Sequence, residues 1–272
     1  MNSPFHIATF PDYNSLSKAA ADYAYQQLSH LAIQQSFVLG LPTGSTPVGM
    51  YKHLINLLTI NHPAIQPSNL TTFNLDEYYP IKHDDPQSYH YFMTKNLWQP
   101  YNHLAIQPFN NSQFNIPNGE SADPENECQI YEELIKKHGP IDLMILGIGT
   151  NGHIGFNEPG SQPTSRTRVV TLSEETITAN SRFFSSKADV PKRAITMGLG
   201  TILESKEILV LASGESKRPI LQKLQSLSAP TPDIPASWLM NHSKVTFYID
   251  SSARPRESFR ASVCDENLSL IP

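Results

Sequence analysis

The chain has 272 residues, 39% of them hydrophobic and 17% charged, enough to bury a core and too apolar for disorder throughout. With 25 acidic against 20 basic residues the formal net charge is −5, which gives no electrostatic footprint for nucleic acid or an anionic membrane. No apolar run reads as a membrane span, the first ten residues lack a secretory pattern, and the distant pair Cys128 and Cys264 suits neither a disulfide framework nor a metal site, so the expectation is a cytoplasmic globular protein.

His6–Phe10 reads as a short strand. Over 14–33, Leu16, Ala20, Tyr23, Ala24, Leu28 and Leu31 recur near the helical period. Phe37–Leu41 is a continuous apolar run that ends at Pro42-Thr-Gly-Ser-Thr-Pro47, and a helical pattern follows through Met50, Tyr51, Leu54, Ile55 and Leu58. Residues 70–75 read as a strand closed by a turn at Asp76-Glu-Tyr-Tyr-Pro80. Residues 141–146 form the clearest buried strand and run into Gly147-Ile-Gly-Thr-Asn-Gly-His153. Residues 207–212 repeat the theme, leading through Ser213-Gly-Glu-Ser-Lys217 into a helical segment, and 245–249 is a last strand. Strands alternating with helices predict an α/β fold: one domain over 1–250, a mostly parallel sheet flanked by helices, and an active site at the carboxyl ends of the strands. Residues 251–272 read as a polar tail.

Each polar cluster follows a strand. Thr43, Gly44, Ser45 and Thr46 lie between strand and helix, where hydroxyls and free helix N–H groups suit a phosphate; the plainer reading is a turn capped by Thr46 ahead of Pro47. Lys217 sits near a helix start, where a cation opposes the helix dipole unless an anion joins it. Gly147-Ile-Gly-Thr-Asn-Gly152 matches G-x-G-x-x-G, with Glu174 at the distance of a ribose-binding acid. Gly155, Pro159 and Gly160 oppose the long helix that a dinucleotide site requires, so no nicotinamide cofactor is expected. Asn151, His153 and Glu158 fall within eight residues, a pattern that fixes a histidine's tautomer and raises its basicity for acid–base work. Asp76 and Glu77 offer carboxylates at a strand end, with Tyr78 and Tyr79 beside them to exclude water and raise a pKa. Arg166, Arg168 and Arg182 are either surface ion pairs or phosphate ligands.

Taken together, these stretches resemble the glucosamine-6-phosphate deaminase (isomerase) family. The similarity is carried by Leu39-Gly-Leu-Pro-Thr-Gly-Ser-Thr-Pro47, Phe73-Asn-Leu-Asp-Glu-Tyr78, Leu146-Gly-Ile-Gly-Thr-Asn-Gly-His-Ile-Gly-Phe-Asn-Glu-Pro159, Ser165-Arg-Thr-Arg168, Ala179-Asn-Ser-Arg-Phe-Phe184 and Ala194-Ile-Thr-Met-Gly-Leu-Gly-Thr-Ile202. The resemblance implies conversion of glucosamine 6-phosphate and water to fructose 6-phosphate and ammonia, with no metal and no organic cofactor. It implies Asp76 as the base moving the C2 proton to C1, and His153 as the ring-opening group held by Asn151 and Glu158. Thr43, Gly44, Ser45, Thr46, Arg182 and Lys217 would bind the phosphate, and 172–187 resembles a mobile lid.

Two positions depart from the pattern. Many members carry Asp where this chain has Asn151, and an amide orients a histidine without sharing a proton. Regulated members, which are hexamers, carry a lysine two residues after the arginine that Arg168 matches; here it is Val170, so activation by N-acetylglucosamine 6-phosphate is not expected. A homo-oligomer is left open. The rival readings are a 6-phosphogluconolactonase-like hydrolase and a sugar-phosphate sensor without catalysis.

Overall fold

The computed structural model describes residues 5–31, 36–60, 69–105 and 108–255. β1 (His6–Phe10), α1 (Tyr13–Leu31), β2 (Phe37–Leu41), α2 (Val48–Ile60) and β3 (Leu70–Asn74) alternate as the apolar runs and helical periods predict. Then come β4 (Asp76–Tyr79), α3 (Tyr89–Met93), a π-helical turn over Thr94–Trp98, α4 (Gln99–Leu104), β5 (Phe114–Asn115) and α5 (Pro124–His138). β6 (Leu143–Gly147), β7 (Arg168–Thr171), α6 (Glu174–Asn180), β8 (Arg193–Thr196), α7 (Leu199–Leu203), β9 (Ile208–Ala212), α8 (Arg218–Ser226) and β10 (Val245–Asp250) follow.

Seven strands form one sheet in the order β1-β10-β9-β6-β2-β3-β5, and every neighbouring pair is parallel. Alternation along β2 sends Phe37, Leu39 and Leu41 toward Leu16 and Ala20 of α1 and Met50, Tyr51 and Leu54 of α2. Val38 points the other way, joining Met144 and Leu146 of β6 against Tyr131 and Ile135 of α5 and Ile220, Leu221 and Leu224 of α8. Each fully buried aliphatic or aromatic side chain contributes about 1.5–3 kcal/mol, so the two cores fix the three-layer arrangement. After β2 the chain builds outward through β3 to β5, and after β6 through β9 to β10. The order reverses between β2 and β6, and a crevice outside their carboxyl ends is where a ligand site is expected.

Residues 76–80, expected as a turn, instead begin a second sheet. β4 pairs antiparallel with β8, and β8 with β7, in the order β4-β8-β7. The switch between sheets is made at Leu75, whose N–H donates to Leu41 O at 3.3 Å while its carbonyl accepts from Met197 N at 2.7 Å. All four residues of β4 are buried. Tyr78 and Ala194 cluster with Phe156, Leu172 and Ile177, and Tyr79 and Ile195 with Cys128.

Two boundaries also move. Tyr51 N donates to Pro47 O at 2.9 Å, so Pro47 rather than Thr46 precedes the first residue of α2. The start of the polar tail is packed: Ser251 N–H donates to Phe10 O at 2.9 Å and Ala253 is buried; residues beyond 255 lie outside the described set. No helix of the described residues is long and apolar enough to cross a membrane.

Candidate active site

The loop after β2 carries Thr43, Gly44, Ser45 and Thr46, with Gly44 at φ +94° and both Gly44 and Ser45 exposed. Tyr13, at the start of α1, braces it. Its hydroxyl lies 3.1 Å from both Ser45 O and Thr46 O and accepts from Gly49 N at 2.9 Å. A cavity of about 400 Å³ lies against this loop and is lined by Tyr13, Ser45, Thr46, Val48 and Ser213. The loops after β2 and β9, read separately as phosphate sites, therefore share one cavity.

The β9 loop is fixed by Asp250, the last residue of β10. Its carboxylate accepts from the Ser213 hydroxyl and from Gly214 N at 3.1 Å, where the backbone has φ +90°. Lys217 ends a 3₁₀ turn immediately before α8. Burial pushes its ammonium pKa down, and the nearby Arg182 charge pushes it further. Two cations drawn together near a helix N-terminus are an arrangement suited to an anion.

Between β6 and β7 the residues Asn151, His153 and Glu158 meet as expected. Asn151 Nδ2 donates to Glu158 Oε2 at 3.0 Å, while its Oδ1 accepts from His153 N at 3.1 Å and lies 2.8 Å from His153 Nδ1. Because Oδ1 only accepts, the imidazole carries its proton on Nδ1 and keeps a lone pair on Nε2. No described residue pairs with Nε2. A Cβ at Gly149 would overlap the ring, so that position is restricted to glycine. Burial lowers the His153 pKa below its usual value; Glu158, with an oxygen 3.8 Å from Nδ1, opposes this and Lys217 adds to it. Past Gly152 the chain turns through an Ile154–Asn157 bridge and reaches no helix before α6, as expected from Gly155, Pro159 and Gly160.

Asp76 reaches the same region from the second sheet. Its register partner is Thr196, whose hydroxyl accepts from Phe156 N at 3.1 Å. Gly155 has φ +56°, and a Cβ there would stand 3.1 Å from Asp76 Oδ2. Burial, with the neighbouring Glu77 charge, pushes the Asp76 carboxyl up to about 8. Glu77 accepts from Tyr78 N, Tyr89 N and His90 N at 2.8–2.9 Å, and burial still pushes it up to about 7 against those donors.

The arginines divide. Arg166 is held by Glu132 at 2.9 Å and Glu204 at 2.6 Å, so its role is an ion pair between elements. Arg168 donates to Asn157 Oδ1 at 2.9 Å and Ser161 Oγ at 3.3 Å, beside a cavity of about 630 Å³ that Glu158, Arg168 and Val170 help to line. Arg182 follows α6 and is the one that stands near Lys217. Sequence reasoning missed Tyr13, Asp250, Ser173 and Thr176. Ser173 alone had a local signal, a serine before two acids at a helix start, and it does cap α6, accepting from Thr176 N. Among the described residues no group of three or more His, Cys, Asp or Glu could hold a metal.

Residues 11–248 match the family model described as glucosamine-6-phosphate isomerases/6-phosphogluconolactonase. The chain is 49% identical over 242 residues to a glucosamine-6-phosphate deaminase of Thermoanaerobacter pseudethanolicus, covering 89% of this chain and 91% of that one. It is 46% identical over 247 residues to the deaminase of Clostridium acetobutylicum, covering 91% and 98%. A solved monomeric glucosamine-6-phosphate deaminase superimposes with a TM-score of 0.84 at 44% identity, covering 92% of this chain and 98% of that one. A 6-phosphogluconolactonase from Shewanella baltica shares the fold alone, with a TM-score of 0.70 at 19% identity over 91% of this chain and 98% of its own. On this sequence match and this fold, the chain belongs to the glucosamine-6-phosphate isomerase/6-phosphogluconolactonase family.

Proposed function

We propose that the chain is a glucosamine-6-phosphate deaminase, converting glucosamine 6-phosphate and water to fructose 6-phosphate and ammonia. The observation that carries this reading is the contact at Gly155, which brings a buried carboxylate, Asp76, against the loop of a neutral histidine, His153. The high identity to deaminases, against 19% to a lactonase, favours the same choice.

The phosphate enters the cavity beside Thr43, Gly44, Ser45 and Thr46, with Lys217 and Arg182 supplying charge. Binding energy from this remote group orients the sugar. His153 Nε2 takes the proton from the anomeric hydroxyl as the C1–O5 bond breaks and returns it to O5, opening the ring. Asn151 and Glu158 hold the imidazole in the tautomer that makes Nε2 the base. The Asp76 carboxylate then removes the proton from C2 while one proton of the C2 ammonium passes to O1, giving an enolamine, and delivery of the C2 proton to C1 leaves an iminium at C2. Water adds there and ammonia leaves. An amide at position 151 suffices because this sequence needs a fixed ring, not a second proton carrier. A phosphorylated sugar crosses no bilayer unaided, so the reading includes a cytoplasmic site of action and a small-molecule partner only.

The deciding experiment incubates chelator-treated protein with glucosamine 6-phosphate and measures ammonia and fructose 6-phosphate together. Equal release of both is expected. Hydrolysis of 6-phosphogluconolactone without ammonia would select the lactonase reading, and binding without turnover the sensor.

A further inference from the structure

Glu158 is gripped from two sides. One oxygen accepts from Asn151; the other, Oε1, accepts from the Thr176 hydroxyl and lies 3.3 Å from Ser173 Oγ. Ser173 Oγ also lies 3.1 Å from Thr176 Oγ1. A hydroxyl donates once, so Ser173 donates to Thr176 and Thr176 to Glu158, while His153 donates to Asn151 and Asn151 to Glu158; both chains end on that carboxylate. Ser173 and Thr176 are the cap and first turn of α6, and six residues after Thr176 the same segment presents Arg182 near Lys217. The segment that brings a cation to the phosphate is thus tied by a hydroxyl to the group that sets the histidine.

We propose that Thr176 is a positioning residue whose hydroxyl holds Glu158, and through it Asn151 and His153, so that seating α6 both delivers Arg182 and aligns the ring-opening base. The proposal rests on the deaminase reading for its chemistry. It does not rest on it for the contact itself. With the donor in place, Glu158 keeps one oxygen aimed at the Asn151 amide. Without it, the carboxylate is free to turn, and its uncompensated charge bears more strongly on the imidazole, which also faces Lys217.

The test compares Thr176→Val, which keeps shape and loses the hydroxyl, with Thr176→Ser, which keeps the hydroxyl, in the full chain. With glucosamine 6-phosphate, Thr176→Val should lower kcat about tenfold and, because Arg182 is then seated less firmly, raise KM as well, and Thr176→Ser should stay within about twofold of the parent in both. In a Glu158→Gln background the valine substitution should add little, because the two act through one contact. Independently of turnover, the His153 imidazole, followed by NMR, should titrate at higher pH in Thr176→Val than in the parent. If valine prevents folding, Thr176→Ala is judged by the same criteria. An unchanged kcat and His153 titration in the valine variant, equal loss in serine and valine, or full additivity with Glu158→Gln would each overturn the proposal. A parent that releases no ammonia defeats the deaminase reading alone, and the histidine titration then decides the contact.

Discussion

Asp76 and Glu77 are consecutive in β4, yet their carboxylates leave the strand on opposite faces and meet opposite surroundings. Glu77 accepts three backbone N–H groups, two of them at the start of α3; no described residue hydrogen-bonds the Asp76 carboxylate. A carboxylate with donors is held in place, and one without them remains basic. On the proposed reading the pair divides labour: burial, with the Glu77 charge beside it, raises the pKa of Asp76, the proposed base.

Asp76→Asn keeps the shape and removes the base. Exchange of the C2 hydrogen and ammonia release should fall together by about 10²–10⁴-fold, while the phosphate end still binds substrate. Deuterium incorporation measured beside product formation checks this. Near-normal exchange would pass the role to Glu77.

The same substitution should stabilise the fold. The Asp76 carboxyl is pushed from 3.8 unfolded up to about 8 folded, so between those values the native state holds a proton the unfolded chain has lost. Its contribution to stability is fully present below about pH 4 and is lost as pH rises through 8. Asn does not titrate. Thermal melts should therefore place Asp76→Asn at least about 3 °C above the parent at pH 8, with the gap closing toward pH 4.

Glu77→Gln removes the charge beside Asp76. The acid limb of kcat/KM, expected near pH 8 in the parent, should move to lower pH in this variant. His153 does not set that limb, because its pKa lies below the usual histidine value. A limb that stays in place would detach Glu77 from the tuning of Asp76.

Lys217→Ala and Arg182→Ala should each lower kcat/KM by about 1.5–3 kcal/mol if they bind the phosphate through charge-assisted hydrogen bonds, with the fold spared. Kinetics with glucosamine 6-phosphate and circular dichroism of both variants check this. An unchanged kcat/KM in either would remove that residue from the site.

N-acetylglucosamine 6-phosphate should activate little or not at all. Arg168 is engaged by Asn157 and Ser161, and Val170 brings no charge to the cavity they border. Substrate curves with and without the compound, and light scattering for the assembly, test this. A sigmoidal curve made hyperbolic by the compound would show a regulated oligomer instead.

The buried strands of the parallel sheet were legible because burial on both faces demands continuous apolar runs such as Phe37–Leu41 and Ile208–Ala212; β5, two half-buried residues at the edge, was not read. The second sheet was not. Asp76–Tyr79, Arg168–Thr171 and Arg193–Thr196 are four residues each, with charged ends, and pair only over long sequence separation. α5 carried readable signals that passed unused: Asp123 as its cap, Pro124 in the first turn and Gly139 just past the end. In the site, Asn151, His153 and Glu158 were legible because they lie within eight residues of one another. The contacts of Thr176 with Glu158 and of Asp250 with Ser213 cross 18 and 37 residues, and no local spacing announces them.

The change of sheets at Leu75 makes the molecule a ruler. On the proposed assignments the loops after β2 and β9 carry most of the phosphate cradle on the parallel sheet, while the base and Arg182 come from the antiparallel one, so the reach from phosphorus to the reacting carbon depends on how the two sheets are joined. Leu75, clasped by Leu41 on one side and by Met197 on the other, is one of the junctions that set it. Selectivity for chain length then rests on the packed backbone that spaces these side chains as well as on the side chains themselves. A five-carbon analogue one bond shorter would seat its phosphate and leave its C2 hydrogen out of reach of Asp76.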